Sequence, residues 1–259
     1  MSSLKYNLST NMNLSYAANQ VKKYDHDRYI CCLFAPKNVM EKLFTILNFN
    51  AEISSISEQT SELTPALIRI TWWQDAIANL YQGKIQSHSL IKALNEIIAE
   101  ANIPQALFTD LLEARMLELH QEVAYDAIFA KKTGGNLLEI MALSLGIKET
   151  LRFKPIGIAW ALLGILRSAK YAASLRKILP FALDNKAYVI DICKEIEKYL
   201  AMVDINEFNK ASAPLDLLFY LAQYYLKLLI KADYDLLSDK LSINPMLKQL
   251  YLSYRYFNI

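Results

Sequence analysis

The sequence predicts an all-α protein folded as one domain, and three observations carry that prediction. Apolar residues recur at helical spacing along almost the whole chain, and no stretch alternates apolar and polar residues for long enough to argue a strand. Only 6 Gly and 7 Pro punctuate 259 residues, fewer than a sheet of this size needs for its turns. A hydrophobic fraction of 54% excludes a disordered tail, and a chain of this length can bury one large core without disulfide or metal staples.

The elements follow in order. Met1 to Gln20 is polar, rich in Ser and Asn and without Arg. It has neither the apolar centre of a secretory signal nor the Arg content of a transit peptide. It is expected to be flexible or loosely packed, ahead of a single domain over 21–259. Ala35-Pro36 opens a helix, with Pro36 near its first turn and Asn38 beside it. On this helix the face of Val39, Leu43 and Ile46 continues as Asn50, Ile53 and Ser54, then Ser57 and Glu58. A core-facing stripe therefore turns polar partway along, which implies a solvated cavity, a hydrogen-bonded kink or a helix leaving the core.

Thr64-Pro65 opens the next helix, Gln82-Gly83 closes it, and Ile103-Pro104 opens another. Thr133-Gly134-Gly135-Asn136 lies inside a helical pattern and marks a kink or close packing rather than a phosphate loop. Gly146 ends that helix, and Leu179-Pro180 ends the segment running from Phe153. Ile158, Ala161, Leu162, Ile165 and Ala169 form an apolar stripe within it. Val189, Ile192, Cys193, Ile196 and Leu200 repeat the spacing, as do Leu215, Leu218, Phe219, Ala222 and Leu226. About ten helices result. Two amphipathic stretches suit an interface: Leu215 to Ile230 with Tyr220, Tyr224 and Tyr225, and the end of the chain with Tyr251, Tyr254, Arg255, Tyr256 and Phe257.

Several functions are excluded. A net charge of +2 gives no basic stripe for nucleic acid. Cys31, Cys32 and Cys193 form no metal or disulfide pattern and read as buried, reduced thiols. His26, His88 and His120 lie far apart in the sequence. No nucleophile elbow, Walker loop or dinucleotide fingerprint occurs. The longest apolar run, Ile156 to Leu166, is too short to span a bilayer.

Asp25-His26-Asp27-Arg28-Tyr29, Phe34-Ala35-Pro36, Phe49-Asn50-Ala51-Glu52-Ile53 and Ile68-Arg69-Ile70-Thr71-Trp72-Trp73-Gln74-Asp75-Ala76 occur in that order. Ile165-Leu166-Arg167-Ser168-Ala169-Lys170-Tyr171 and Arg176-Lys177-Ile178-Leu179-Pro180 follow. Over roughly residues 20 to 185 the chain resembles the squalene/phytoene synthase family. Within it, the chain is most similar to the branch of the mitochondrial respiratory complex I assembly factor and its bacterial relatives. The resemblance implies an isoprenoid (terpenoid) synthase-like helical bundle around a central cavity. The family's synthases join two prenyl diphosphates, with Mg²⁺ held by two aspartate-rich motifs on facing helices.

At those positions this sequence departs from the family. The first motif reads Ser54, Ser55 and Glu58. The second has Ser168 and Ala172 where aspartates belong, with Lys170 between them. The resemblance therefore implies a pseudoenzyme with no catalytic residue, metal or cofactor, and a role in assembling or stabilising complex I. Its partner would be a complex I subunit or assembly intermediate, with peripheral membrane or isoprenoid contact and no nucleic acid. A bacterial cytoplasm, at the inner face of the membrane, is the first expectation for its location, and a mitochondrial matrix the second. Asn50, Arg167, Lys170 and Arg176 are candidates for cleft or anion contacts.

Two alternatives stand beside this. One is an active prenyl diphosphate transferase holding Mg²⁺ through Glu52, Glu58 and Asp75. The other is a lipid or isoprenoid carrier in which Arg167, Lys170 and Arg176 grip an anionic head group. Against the second stands simple solvation of these cations, or their pairing with Glu52 or Glu58.

Overall fold

Every stripe predicted from spacing lies on a helix. A computed structural model describes residues 15–59, 62–120, 125–174 and 185–259, with residues 58 and 170–174 described for their backbone only. Among the described residues there are thirteen α-helices and no strand, in one domain. In chain order they are α1 (Tyr16–Tyr24), α2 (His26–Cys32), α3 (Lys37–Ser54), α4 (Ile56–Gln59), α5 (Leu63–Tyr81), α6 (Ser89–Ala101), α7 (Gln105–Leu119), α8 (Ala127–Ala130), α9 (Asn136–Ser144), α10 (Lys154–Ser174), α11 (Lys186–Ala201), α12 (Ala213–Lys231) and α13 (Pro245–Phe257). The count exceeds ten because α4 and α8 are single turns and because α6, which no Pro opens, was not marked by turn chemistry.

Helix starts follow local chemistry. The side chains of Ser15, Asp25, Asp126, Asn185 and Asn244 each accept a backbone N–H at a helix N-terminus. Pro36 and Pro104 stand at the N-caps of α3 and α7, where a missing N–H costs nothing. Gly83 and Gly146 both take φ +76°, the left-handed turn that closes a helix and favours glycine. The first described helix begins at Tyr16, inside the stretch expected to be loosely packed, and Ala18 is fully buried there.

Helix α10 runs through the middle of the molecule and packs against α8, α9, α11 and α12. Its predicted stripe is buried at Ile158, Leu162 and Ala169, and Ala161 and Ile165 are half-buried. Ala159, Leu163 and Leu166 are buried as well, so α10 is enclosed on more than one face. The stripes of α11 and α12 are buried throughout. The three cysteines are free and buried.

The Thr133–Asn136 cluster does both things expected of it. Lys131–Gly135 forms a π-helical turn between α8 and α9, and its glycines press against α10. A Cβ on Gly134 would sit 2.2 Å from the carbonyl oxygen of Gly157, and one on Gly157 would sit 2.2 Å from that of Gly134. Backbone meets backbone here, so neither side can yield. Gly157→Ala is expected to lower stability by about 1–3 kcal/mol or more. Gly164→Ala, on the same helix with nothing within 4 Å, should raise it by about 0.5–1 kcal/mol. Thermal denaturation of the two variants, monitored by circular dichroism, reads both signs.

Candidate functional site

Helix α1, capped by Ser15, ends at Tyr24, and the chain turns at Asp25 into the short helix α2. Asp25 caps it, accepting the backbone N–H of Arg28 at 3.2 Å and the Arg28 guanidinium at 2.8 Å. All the rest of α2 except His26 is buried, Asp27 included. A carboxylate so placed must find partners within the protein. Asp27 Oδ2 accepts from Arg167 Nη2 of α10 at 2.7 Å and from the Tyr225 hydroxyl of α12 at 2.8 Å. Asp27 Oδ1 accepts from Lys248 Nζ of α13.

The three partners also meet one another. Lys248 Nζ donates to the Tyr225 hydroxyl at 2.9 Å, and Arg167 Nη2 donates to the same oxygen at 3.2 Å. Tyr225 thus gives its one hydrogen to Asp27 and accepts on both lone pairs, which exhausts its capacity. The Arg167 guanidinium lies 3.8 Å from the centre of the Tyr225 ring and 5.6 Å from that of Trp160. Two cations and one carboxylate leave the cluster with one excess positive charge.

Burial pushes the Asp27 carboxyl up, but the charges of Arg167 and Lys248, with hydrogen bonds from Lys248 and Tyr225, together hold it below the usual carboxylate range. The Tyr225 hydroxyl is pushed up, by burial first and by the neighbouring Asp27 charge. Both groups therefore keep the protonation states that the cluster needs.

A second buried acid behaves oppositely. Asp216, in the first turn of α12, is fully buried and accepts from the Asn209 N–H at 3.2 Å and from the Ser212 hydroxyl at 2.5 Å. Arg152 stays 3.8 Å away. Burial dominates and pushes this carboxyl up to about 6.

Among the described side chains of the sequence-predicted site residues, the structure brings Arg167 into the cluster around Asp27. Its counter-charge is Asp27 of α2, and its side chain stays a third exposed. Asn50 is half-buried on α3. Ser54 ends α3 and Ser55 follows it, each hydroxyl donating to a carbonyl one turn back, Ala51 at 3.3 Å and Glu52 at 3.2 Å. Ser168 is exposed and donates to the Ile165 carbonyl at 2.7 Å. Glu58 lies on α4, and Lys170 and Ala172 on α10, with their side chains outside the described set; Arg176 lies outside the described residues altogether.

Trp73 is buried against Phe49, with ring centres 5.2 Å apart, and Trp72 is partly exposed beside His88. Asp75 is exposed on α5. Among the described residues, no group of three or more His, Cys, Asp or Glu side chains is gathered as a metal site requires. No helix among them is long and apolar enough to cross a membrane.

Sequence reasoning missed Asp27, Tyr225 and Lys248 as a set. A signal was available for Asp27: its neighbours three and four residues on along the seven-residue helix are Ile30 and Cys31, which places it on an apolar face.

The pairing sets stability. Asp27→Asn leaves the buried Lys248 and the partly exposed Arg167 without a counter-charge and should cost about 3–5 kcal/mol. Lys248→Met keeps the Arg167–Asp27 pair and should cost less; urea denaturation ranks the two. The two acids also tilt stability with pH in opposite directions. The contribution of Asp27, whose folded value is lowered, is present above the ordinary carboxyl value of about 4 and is lost as pH falls through its folded value. That of Asp216, whose folded value is raised, is fully present below about 4 and is lost as pH rises towards about 6. Asp216→Asn should flatten the loss between about pH 4 and 6 in denaturation curves taken across that range.

A human protein named NADH dehydrogenase (ubiquinone) complex I, assembly factor 6, is 23% identical over 92% of this chain and 80% of its own length. The mouse protein of that name is 23% identical over 63% of this chain, which spans about half (51%) of it, and a Dictyostelium discoideum homologue is 23% identical over 69% of this chain and 53% of its own. Among solved structures, a dehydrosqualene synthase matches with a TM-score of 0.75 at 13% identity, over 94% of each chain. A squalene synthase from Alicyclobacillus acidocaldarius matches with a TM-score of 0.68 at 12% identity, over 84% of this chain and 93% of its own. These establish the shared fold. The model of the family described as squalene/phytoene synthase matches residues 21–181, more than half of the chain, and the chain belongs to that family.

Proposed function

We propose that this protein is a catalytically silent member of the squalene/phytoene synthase family that acts in assembling or stabilising respiratory complex I. The observation that supports silence is the chemistry at the positions of the two aspartate-rich motifs. Mg²⁺ beside a diphosphate needs several charged oxygen ligands. Ser54, Ser55 and Ser168 offer neutral hydroxyls already donating to their own helices' carbonyls, and Ala172 has no polar side-chain atom. Glu58 is the one carboxylate left at these positions, where several are needed, so the set does not fit the metal, and Arg167, next to the second motif, is paired with Asp27.

The assembly role rests on the relatives carrying the assembly-factor name. It implies a protein partner, a complex I subunit or an assembly intermediate, met at the membrane face where that complex is built. The site is a scaffold held closed by its own charges, suited to presenting a surface and not to turning over substrate.

The test has two arms. Purified protein with farnesyl diphosphate and Mg²⁺ should release no diphosphate, and Mg²⁺-dependent release would overturn silence. A deletion strain should lose NADH-dehydrogenase activity, and a copy carrying Ser54→Ala and Ser168→Ala should restore it fully. Normal complex I in the deletion strain would overturn the assembly role.

A further inference from the structure

Between α11 and α12 the chain runs over the surface as residues 203–212, with a single 3₁₀ turn at Ile205–Glu207. Residues 204–207 and 209–211 are exposed, Val203 and Phe208 are half-buried, and Ser212 at the start of α12 is buried. The Phe208 ring packs on α12, with centres 5.4 Å from Phe219 and 5.7 Å from Tyr220. With so little apolar burial, this segment depends on its polar attachments.

Those attachments meet at Asp216. Its Oδ2 accepts the Asn209 N–H and the Ser212 hydroxyl, and Arg152 Nη2 donates to that same hydroxyl oxygen at 3.0 Å. Arg152 also faces Glu207 of the segment, Nε to Oε2 at 3.9 Å. At the far side Lys210 Nζ donates to the Tyr256 carbonyl of α13. Yet Asp216 Oδ1, though buried, has no hydrogen-bond partner among the described residues. The cation facing it, Arg152 Nη1, is 3.8 Å away, too far to donate. A buried carboxylate with an unfilled oxygen is costly when charged. A proton on Oδ1 removes the charge and leaves both bonds to Oδ2 in place.

Charges on the other elements packed against α12 are engaged elsewhere. Glu139 of α9 pairs with Lys154 of α10 at 2.8 Å, and Arg255 of α13 lies over the ring of Tyr220, the titratable neighbour one turn along α12. On α11, Lys194 and Lys198 pair with Asp191 and Glu195. The cluster of Asp27, Arg167 and Lys248 meets α12 further along, at Tyr225.

We propose that residues 203–212 are a strap fastened by a proton: with Asp216 neutral the strap stays seated, and with Asp216 ionised it lifts to let water reach the carboxylate. Lifting withdraws Phe208 from Phe219 and Tyr220 and Lys210 from Tyr256, and so bares an aromatic face where α12 meets α13. Burial, which pushes this carboxyl up to about 6, sets the range of the response. The seated form is favoured below about pH 4 and loses ground as pH rises towards and through about 6. The strap acts whether or not the protein serves complex I.

Hydrogen exchange of the full chain, read by mass spectrometry from pH 4 to 7 and corrected for the intrinsic rate, tests this. Protection of 203–212 should fall at least about tenfold as pH rises. At every pH it should stay below that of 157–166 in α10, and low urea should leave it unchanged while lowering that of α10. Asp216→Asn should hold the strap protected across the range. Ser212→Ala, which removes a bond to the carboxylate, should move the midpoint to higher pH. Protection of the strap that ignores pH would overturn the proposal, as would the same fall in Asp216→Asn or an unmoved midpoint in Ser212→Ala. Exchange of the strap as slow and as urea-dependent as that of α10 would also overturn it, because Asp216 would then act on global unfolding alone.

Discussion

The carboxylate of Asp27 is the point on which the molecule closes. It joins α2 to α10, α12 and α13, elements separated by 140 to 221 residues along the chain. Hydrophobic burial supplies the driving force for this fold, but it is non-directional and does not by itself choose one docking of α13 over another. A buried ion pair contributes little net stability because desolvation offsets its attraction. What it does impose is a heavy penalty on any arrangement that leaves a member unpaired. Arg167 and Lys248 have one carboxylate between them, and only the observed packing delivers it to both.

The glycine contact between the π turn and α10 works alongside this cluster. Gly134 and Gly157 let two backbones approach more closely than any other residue permits, which sets the depth at which α8 and α9 meet α10.

The helical fold was legible because burial leaves a periodic trace. The stripes of α11 and α12, read at i, i+3, i+4 and i+7, are buried to the last residue. Turn residues were legible for the same local reason, as at Gly146, where a positive φ is needed. The family was legible in short motifs such as Ile68–Ala76. The cluster was not. Asp27, Arg167, Tyr225 and Lys248 have no mutual spacing that a linear reading can register, and a buried lysine on a helix such as α13 looks from sequence like a solvent-facing one.

Tyr225 has a further consequence. Its oxygen has no hydrogen or lone pair left to offer, and both oxygens of Asp27 are engaged with it and its neighbours. Two cations brought together in a low-dielectric interior would ordinarily recruit an anion from solution. Here the second helix supplies that anion covalently, at an effective concentration no solute can match. The chain supplies its own counter-ion for one of the two positive charges, and a guest taking the place of Asp27 must first displace a residue of the chain itself.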